Sequence, residues 1–284
     1  MAVRPVFIPR SSVPYLSTWN AEFVYNSGFA VSQKQKNITA IHRTFLNHFP
    51  GSKILEISSK SMQDGGVELS AFNLMKFVPS LGKSVRVENI YQAGKVFKNG
   101  GPYTDLLEVS PKDAKRDERL KTSGPLIGFR FEGHNFPLVP HTCFYDYLYI
   151  NALLENEDLA KIVLEYDAFT DVEFNPEKSL NCQAKSAAMF VSLSRLGMTE
   201  KARDPEEFLR ILRTAPIAPA VSAKQPEEKE EDKPSLVQGV RIRHKVWGEG
   251  VVTEVSGTIA AIGFPDVGIK KLGIEWVLKN CEIL

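Results

Sequence analysis

The sequence predicts an α+β protein: a helix-rich domain over residues 1–213, a flexible linker over 214–236 and a small all-β barrel over 237–284. Three observations carry this reading. Composition changes abruptly after Thr214, where Ala215-Pro216-Ile217-Ala218-Pro219-Ala220 is followed by a charged run from Lys224 to Pro234 with no apolar face. Such a stretch cannot bury enough surface to offset its ordering entropy. Beyond it, short period-two segments are punctuated by tight turns, the pattern of a small barrel. Ahead of it, helical and strand-like segments mix without a repeating βαβ rhythm.

Within the first domain, Lys53-Ile54-Leu55-Glu56-Ile57 reads as a strand. Helical patterns run over Ser84 to Phe97, Pro111 to Leu120, Thr142 to Glu155, Asp158 to Tyr166 and Asn181 to Leu196. No Gly-x-Gly-x-x-Gly follows a strand and no phosphate-cradling Gly-x-x-x-x-Gly-Lys-Ser/Thr occurs, which removes dinucleotide oxidoreductases and P-loop nucleotide hydrolases. In the second domain, Val240-Arg241-Ile242-Arg243-His244 alternates as a half-buried strand. Trp247-Gly248-Glu249-Gly250 turns into Val251 to Val255, and Ile259 to Phe264 and Gly268 to Leu272 are strands about a Pro265-Asp266 turn.

Lys and Arg number 35 against 34 Asp and Glu, a net charge of +1, which argues against a polybasic DNA-coating role but leaves room for a local basic rim. Hydrophobic residues make up 43%, enough for an ordinary core. No apolar run approaches the roughly 18 residues of a membrane span. Met1-Ala2-Val3-Arg4-Pro5 leads into polar, proline-punctuated sequence rather than an apolar leader, so a cytoplasmic location is expected. The three cysteines, Cys143, Cys182 and Cys281, are scattered, which points to reduced, packed thiols. His42, His48, His134, His141 and His244 show no tight ligand spacing, and no metal is expected.

Three segments carry candidate chemistry. In Val87 to Phe97, a helix would put Glu88, Gln92 and Lys95 at i, i+4 and i+7, gathering an acid, an amide and an amine on one face. A solvated helix face is the plainer reading of that pattern. From Asp167 to Ala184, Asp171, Glu173, Asn181 and Gln183 crowd one short polar stretch, where helix capping accounts for Asn181 but not for the rest. Ser58, Ser59 and Lys60 follow a strand end and lead through Gly65-Gly66 to Leu69-Ser70-Ala71-Phe72-Asn73, in the kind of loop where polar ligands meet a chain.

Taken in order, these segments resemble the NADAR family, and within it the branch that acts as antitoxin to guanine-modifying DarT ADP-ribosyltransferases. Leu69 to Asn73 stands where the family carries a Leu/Phe-Ser-Asn-Phe segment. Val87-Glu88 to Lys95 is similar to its Glu-x-x-Tyr/Phe-Gln-Ala-x-Lys motif, and Pro111 with Asp113-Ala114-Lys115 is similar to its Pro…Glu-Ala-Lys. Asp171 and Asn181 fall near its later acidic and asparagine positions. Ala71 and Ala184 depart from the family's asparagine and glycine. The resemblance runs from about Lys53 to Leu196.

What it implies is a hydrolase that reverses DNA ADP-ribosylation by removing ADP-ribose from the guanine amino group, with ADP-ribosylated DNA as substrate, a DarT-type toxin as partner and no cofactor. A lysine with a depressed pKa can exchange into the imine that a ring-opened aminoriboside forms, and water can then hydrolyse the resulting Schiff base. Lys95 is the expected nucleophile with Lys60 as rival, Glu88 the proton shuttle, and Asp171 the further acid/base or ribose-hydroxyl acceptor. Ser58, Ser59, Lys60, Phe72, Asn73, Gln92, Asn181 and Gln183 are the expected substrate-binding residues. An N-glycosidase on a free nucleotide metabolite and a non-catalytic ADP-ribose reader are the alternatives. The stretch from Val240 to Val251, with Gly268-Ile269-Lys270-Lys271-Leu272, resembles the C-terminal Tudor-like domain of UvrD/PcrA-type helicases, which implies a protein-docking barrel.

Overall fold

The computed structural model describes residues 1–176, 179–214, 238–256 and 259–283. In chain order these form β1 (Ala2–Pro9), β2 (Leu16–Phe23), α1 (Val31–His48), β3 (Ile54–Glu56), β4 (Met75–Val78), β5 (Lys83–Arg86), α2 (Val87–Ala93) and β6 (Lys95–Phe97). There follow α3 (Pro111–Arg116), α4 (Arg119–Thr122), β7 (Leu126–Phe131), β8 (His134–Phe136), α5 (Cys143–Glu155), α6 (Glu157–Leu164), β9 (Ala168–Thr170), α7 (Gln183–Arg195) and α8 (Pro205–Thr214). β10 (Arg241–His244), β11 (Gly248–Ser256), β12 (Ile259–Phe264), β13 (Gly268–Gly273), α9 (Ile274–Asn280) and β14 (Cys281–Ile283) complete the chain. They divide between two compact units, Met1–Lys224 and Gln225–Leu284.

In the first unit a four-stranded sheet has the order β2-β1-β9-β3. The β1–β2 hairpin is in register from Ala2↔Phe23 to Pro9↔Leu16, and β3 runs parallel to β9 with Glu56 opposite Thr170. Helix α1 is polar except for a stripe of Ile38, Ile41 and Phe45, which buries against Val6, Ala21, Phe23, Ile54 and Ala168. The larger core surrounds α5 and α7. Helix α5 is buried from Cys143 through Leu153, apolar or aromatic on nearly every side, as expected of a helix enclosed by others. Fully buried Tyr149 satisfies its hydroxyl by donating to the Leu69 carbonyl at 2.8 Å. Two smaller sheets, β4-β5 and β6-β7-β8, flank α2.

The fold is therefore mixed α+β. The first unit holds nine strands beside eight α-helices among the described residues, which qualifies the helix-rich expectation. The helix expected over Ser84 to Phe97 is helical only from Val87 to Ala93, because Lys83–Arg86 pairs with β4 and Lys95–Phe97 pairs with β7. Gly94 makes the change of direction possible: a Cβ there would lie 2.9 Å from the Arg130 carbonyl oxygen and from the Phe144 ring. The helix expected over Pro111 to Leu120 breaks at Asp117, whose ψ of 128° leaves helical space. Arg119 then reaches back to Asp117 and Asp105.

In the second unit, β10 to β14 form an antiparallel five-stranded sheet of order β13-β12-β11-β10-β14, enclosing Ile242, Val252, Ala260, Ile262, Phe264 and Val277. Helix α9 carries the chain from one edge to the other. No pairing among the described residues joins β13 to β14, so the sheet has two edges where a closed barrel was expected. Beyond Thr214 the linker expected over 214–236 lies outside the described residues. Among the described residues no helix is long and apolar enough to cross a membrane.

Candidate active site

A cavity of about 660 Å³ opens where the end of β3, the N-terminus of α2, the start of β6, the α5 entry and the loop between β9 and α7 converge. Its frame is a set of backbone ties over long sequence separations. The Gln63 side chain accepts from Glu56 N (2.9 Å) and donates to the Ile54 carbonyl (2.7 Å), fixing the strand end. Gly66 sits so close to the Glu56 carbonyl and Ser61 that a Cβ has no room. Gln183, the first residue of α7, donates to the Ile57 carbonyl at 2.7 Å and accepts from Ala71 N at 2.8 Å. The Ala71 carbonyl in turn accepts from Glu88 N at 2.9 Å, which docks the start of α2.

That docking turns Glu88 into the cavity, nearly buried at 5% exposure. Its Oε1 accepts from Gln92 Nε2 at 2.8 Å and lies 3.5 Å from Lys115 Nζ. Lys95 enters from strand β6 rather than from the helix, and its Nζ lies 4.9 Å from the centre of the Tyr91 ring. Burial holds the Lys95 amine below the ordinary lysine range. The Glu88 charge opposes that shift and Lys115 adds to it. Gln92 leaves its buried Oε1 without a donor among the described residues, an acceptor that a ligand hydroxyl or amine can satisfy.

Two further acids belong to the site, at the ends of β3 and β9. Asp171 is half-buried and lines the cavity; Glu56, fully buried, lies behind it. Withdrawal from water raises both carboxyls above the usual range, Asp171 far above it, and the Glu56 charge adds to the rise at Asp171. Glu56 Oε1 accepts from Val172 N at 2.8 Å and Oε2 from Thr170 Oγ1 at 2.7 Å.

Aromatic side chains complete the lining. Tyr91 packs against Phe129, Phe144 and Tyr145 with ring centres 5.3 to 6.1 Å apart, and its hydroxyl is pushed up to about 12 by burial, which Asn181 partly offsets. Phe72 carries Lys115 Nζ 5.1 Å above its ring. At the α5 entry, Thr142 adopts φ of +68°, a strained conformation for a β-branched residue that costs roughly 1–3 kcal/mol. A network holds it there: Thr142 Oγ1 donates to Asp146 (2.6 Å) and accepts from Lys185 Nζ (2.8 Å), while Ser186 donates to the other Asp146 oxygen (2.6 Å). Burial raises the thiols of Cys143, to about 11, and Cys182, which keeps both protonated.

Of the residues expected from sequence, the cavity brings together Lys95, Glu88, Asp171, Ser58, Ser59, Phe72, Gln92, Asn181 and Gln183. Lys60 and Asn73 are not among its lining. The Lys60 amine donates to Ser59 Oγ at 2.8 Å, and exposed Asn73 donates to the Val67 carbonyl and Ser70 Oγ, bracing its own turn. Both Gln183 amide ends bind backbone, so the side chain shapes the cavity. Sequence reasoning missed Tyr91, Lys115, Thr142 and Tyr145 as lining residues, although Tyr91 and Lys115 lie inside the segments that carried the resemblance. Among the described residues no cluster of His, Cys, Asp and Glu could hold a metal ion.

A comparison with curated proteins gives no match. A family model described as "DarT1-associated NADAR antitoxin" matches residues 2–221.

Proposed function

The chain belongs to the DarT1-associated NADAR antitoxin family, and from that premise we propose that it removes ADP-ribose from the guanine amino group in DNA, countering a DarT-type toxin. The observation that carries this reading is a lysine amine held below its ordinary pKa, lining one cavity with a buried glutamate and a raised carboxyl. A lysine amine with a lowered pKa gives up its proton more readily than an ordinary one, and the neutral amine is a nucleophile toward an imine carbon.

In the proposed reaction, Asp171 gives its proton to the ribose ring oxygen as the C1–O4 bond opens and the exocyclic nitrogen forms a C1=N bond. Lys95 Nζ adds to C1, Glu88 carries a proton from Lys95 to the guanine nitrogen, and the guanine amine leaves. Water then adds to the Lys95 Schiff base and releases the open-chain aldehyde of ADP-ribose, leaving Lys95 as its ammonium. O4 closes back onto C1 as its proton returns to Asp171, and the Lys95 ammonium gives a proton to the aldehyde oxygen, which resets both groups. The Gln92 Oε1 suits a ribose hydroxyl and Ser58 a ribose or phosphate oxygen, while Phe72 and Tyr91 offer faces on which a base can stack. A base inside a duplex must first be extruded, at a cost that single-stranded substrate avoids.

The resemblance of Val240 to Val251 to a Tudor-like module supports a protein-docking role for the C-terminal unit. Its closely stacked His244 and Trp247 rings (4.1 Å), beside exposed Trp276, supply aromatic surface for such a contact.

The test is incubation with an oligonucleotide bearing ADP-ribose on guanine, alongside a free nucleotide N-glycoside. Release from the oligonucleotide, with binding that weakens steeply as salt rises, is the expected result. Turnover of the free glycoside alone would overturn the DNA reading. ADP-ribose binding with no release from either compound would overturn the enzyme reading.

A further inference from the structure

Glu56 has no role in the scheme above, yet it is the most enclosed acid next to the site. Its two oxygens take hydrogen bonds from the residues on either side of Asp171, the Thr170 hydroxyl and the Val172 amide. Behind Thr170, His42 Nε2 of α1 lies 2.9 Å from the same hydroxyl. The threonine proton is committed to Glu56, so His42 supplies the proton of its own contact. Burial keeps that ring neutral by lowering it to about 4. The result is a file of donors, His42 to Thr170 to Glu56, all directed at one carboxylate. Asp171 has a poorer set, the Glu173 amide at 3.0 Å and the Phe174 amide of its own loop, against the Val172 amide and the Thr170 and Ser58 hydroxyls that act on Glu56.

Two neighbouring carboxyls, one fully buried and the other on the cavity wall, resist ionising together, and the proton favours the one with fewer donors. Resting on the hydrolase reading, we propose that Glu56 holds the negative charge of this pair and thereby keeps the proton on Asp171, making Asp171 the general acid and Glu56 its positioning residue. The other groups facing the pair are Ser58 on the Glu56 turn, the buried and protonated Tyr145, Tyr149 and Cys182 from α5 and the start of α7, and Glu173, whose charge is countered by Lys34 of α1 at 3.4 Å. Glu56 also grips the backbone on both sides of Asp171, so it sets the acid's position as well as its protonation.

Two readouts test this. The first is single-turnover release of ADP-ribose against pH. Asp171 must be protonated to act, so the rate falls on the alkaline side as it ionises. Glu56→Gln keeps an acceptor for the Val172 amide, removes the like charge, and is expected to move that fall at least about one pH unit lower, a loss of about tenfold at a fixed alkaline pH. Thr170→Val, which strips Glu56 of a donor and draws the proton toward it, is expected to move the fall in the same direction. A slower Glu56→Gln variant whose alkaline fall stays in place would mean that Glu56 only braces the loop, and would overturn the proposal.

The second readout needs no substrate and survives failure of the hydrolase reading. Infrared difference spectra of the full chain should show a protonated carboxyl at neutral pH that Asp171→Asn abolishes and whose titration Glu56→Gln shifts to lower pH. A band that survives Asp171→Asn and is lost in Glu56→Gln would put the proton on the other acid, and the absence of any band would deny that the pair shares one.

Discussion

Replacing Gln183 with alanine separates a residue that builds the site from one that binds in it. The Gln183 side chain ties the Ile57 carbonyl to the Ala71 amide, two backbone groups far from it in sequence. Alanine at this position leaves both without their partner. An unpaired buried backbone group costs about 1–3 kcal/mol. Because Gln183 is only half-buried and water can replace part of the loss, the low end of that range applies, about 1–1.5 kcal/mol for each group or roughly 2–3 kcal/mol for the pair. In a unit of this size each kcal/mol moves the melting temperature by about 2–4 °C, so Gln183→Ala should melt roughly 4–12 °C below the parent. Gln183→Glu, which accepts from Ala71 but sets an oxygen against the Ile57 carbonyl, should also be destabilised. The assay is thermal unfolding of the full chain followed by near-ultraviolet circular dichroism, with ADP-ribose affinity measured below the transition. A Gln183→Ala protein that melts within 2 °C of the parent yet loses ADP-ribose would refute the reasoning and make Gln183 a direct ligand contact.

The Lys95 amine must be neutral to attack, so activity rises with pH as it loses its proton, and its neighbours move that rise in opposite directions. Glu88 favours the charged amine, so Glu88→Gln should shift the acidic limb of the rate profile to lower pH while the plateau falls on the order of a hundredfold for want of a proton shuttle. Lys115 disfavours the charged amine, so Lys115→Ala should shift the same limb to higher pH; limbs moving in the same direction in both variants would contradict this arrangement. Gly94→Ala puts a methyl 2.9 Å from the Arg130 carbonyl and the Phe144 ring, and should cost about 1–3 kcal/mol in denaturant unfolding as the strand that presents Lys95 is pushed aside. Unchanged stability there would mean that the entry to β6 is looser than its packing indicates.

What could be read from the sequence was set by local pattern. The strand ending at Glu56, the helices α5 to α7 and four strands of the C-terminal unit follow from periodicity and turn residues. The β1–β2 hairpin was missed because Pro5 and Pro9 argue against a strand inside a sheet. The structure accommodates them because β1 meets β9 at a single register pair, Phe7↔Phe169. The over-long helix through Phe97 failed for a tertiary reason: helical spacing continues past Gly94, but pairing of Lys95–Phe97 with β7 outweighs it. Lys95 still reaches the cavity, so the expected grouping with Glu88 and Gln92 arises from a different local structure. The apposition of Glu56 and Asp171 had no local signal, since only the long-range register of β3 with β9 brings them together.

The central claim is that Lys95 forms a covalent imine with the ribose carbon, and reductive trapping tests it most directly. Borohydride added during turnover of the ADP-ribosylated oligonucleotide should fix ADP-ribose to the chain as a secondary amine, and peptide mapping should place it on Lys95, with Lys95→Ala giving neither adduct nor release. An adduct on Lys60 or Lys115, or full turnover by Lys95→Ala, would contradict the account.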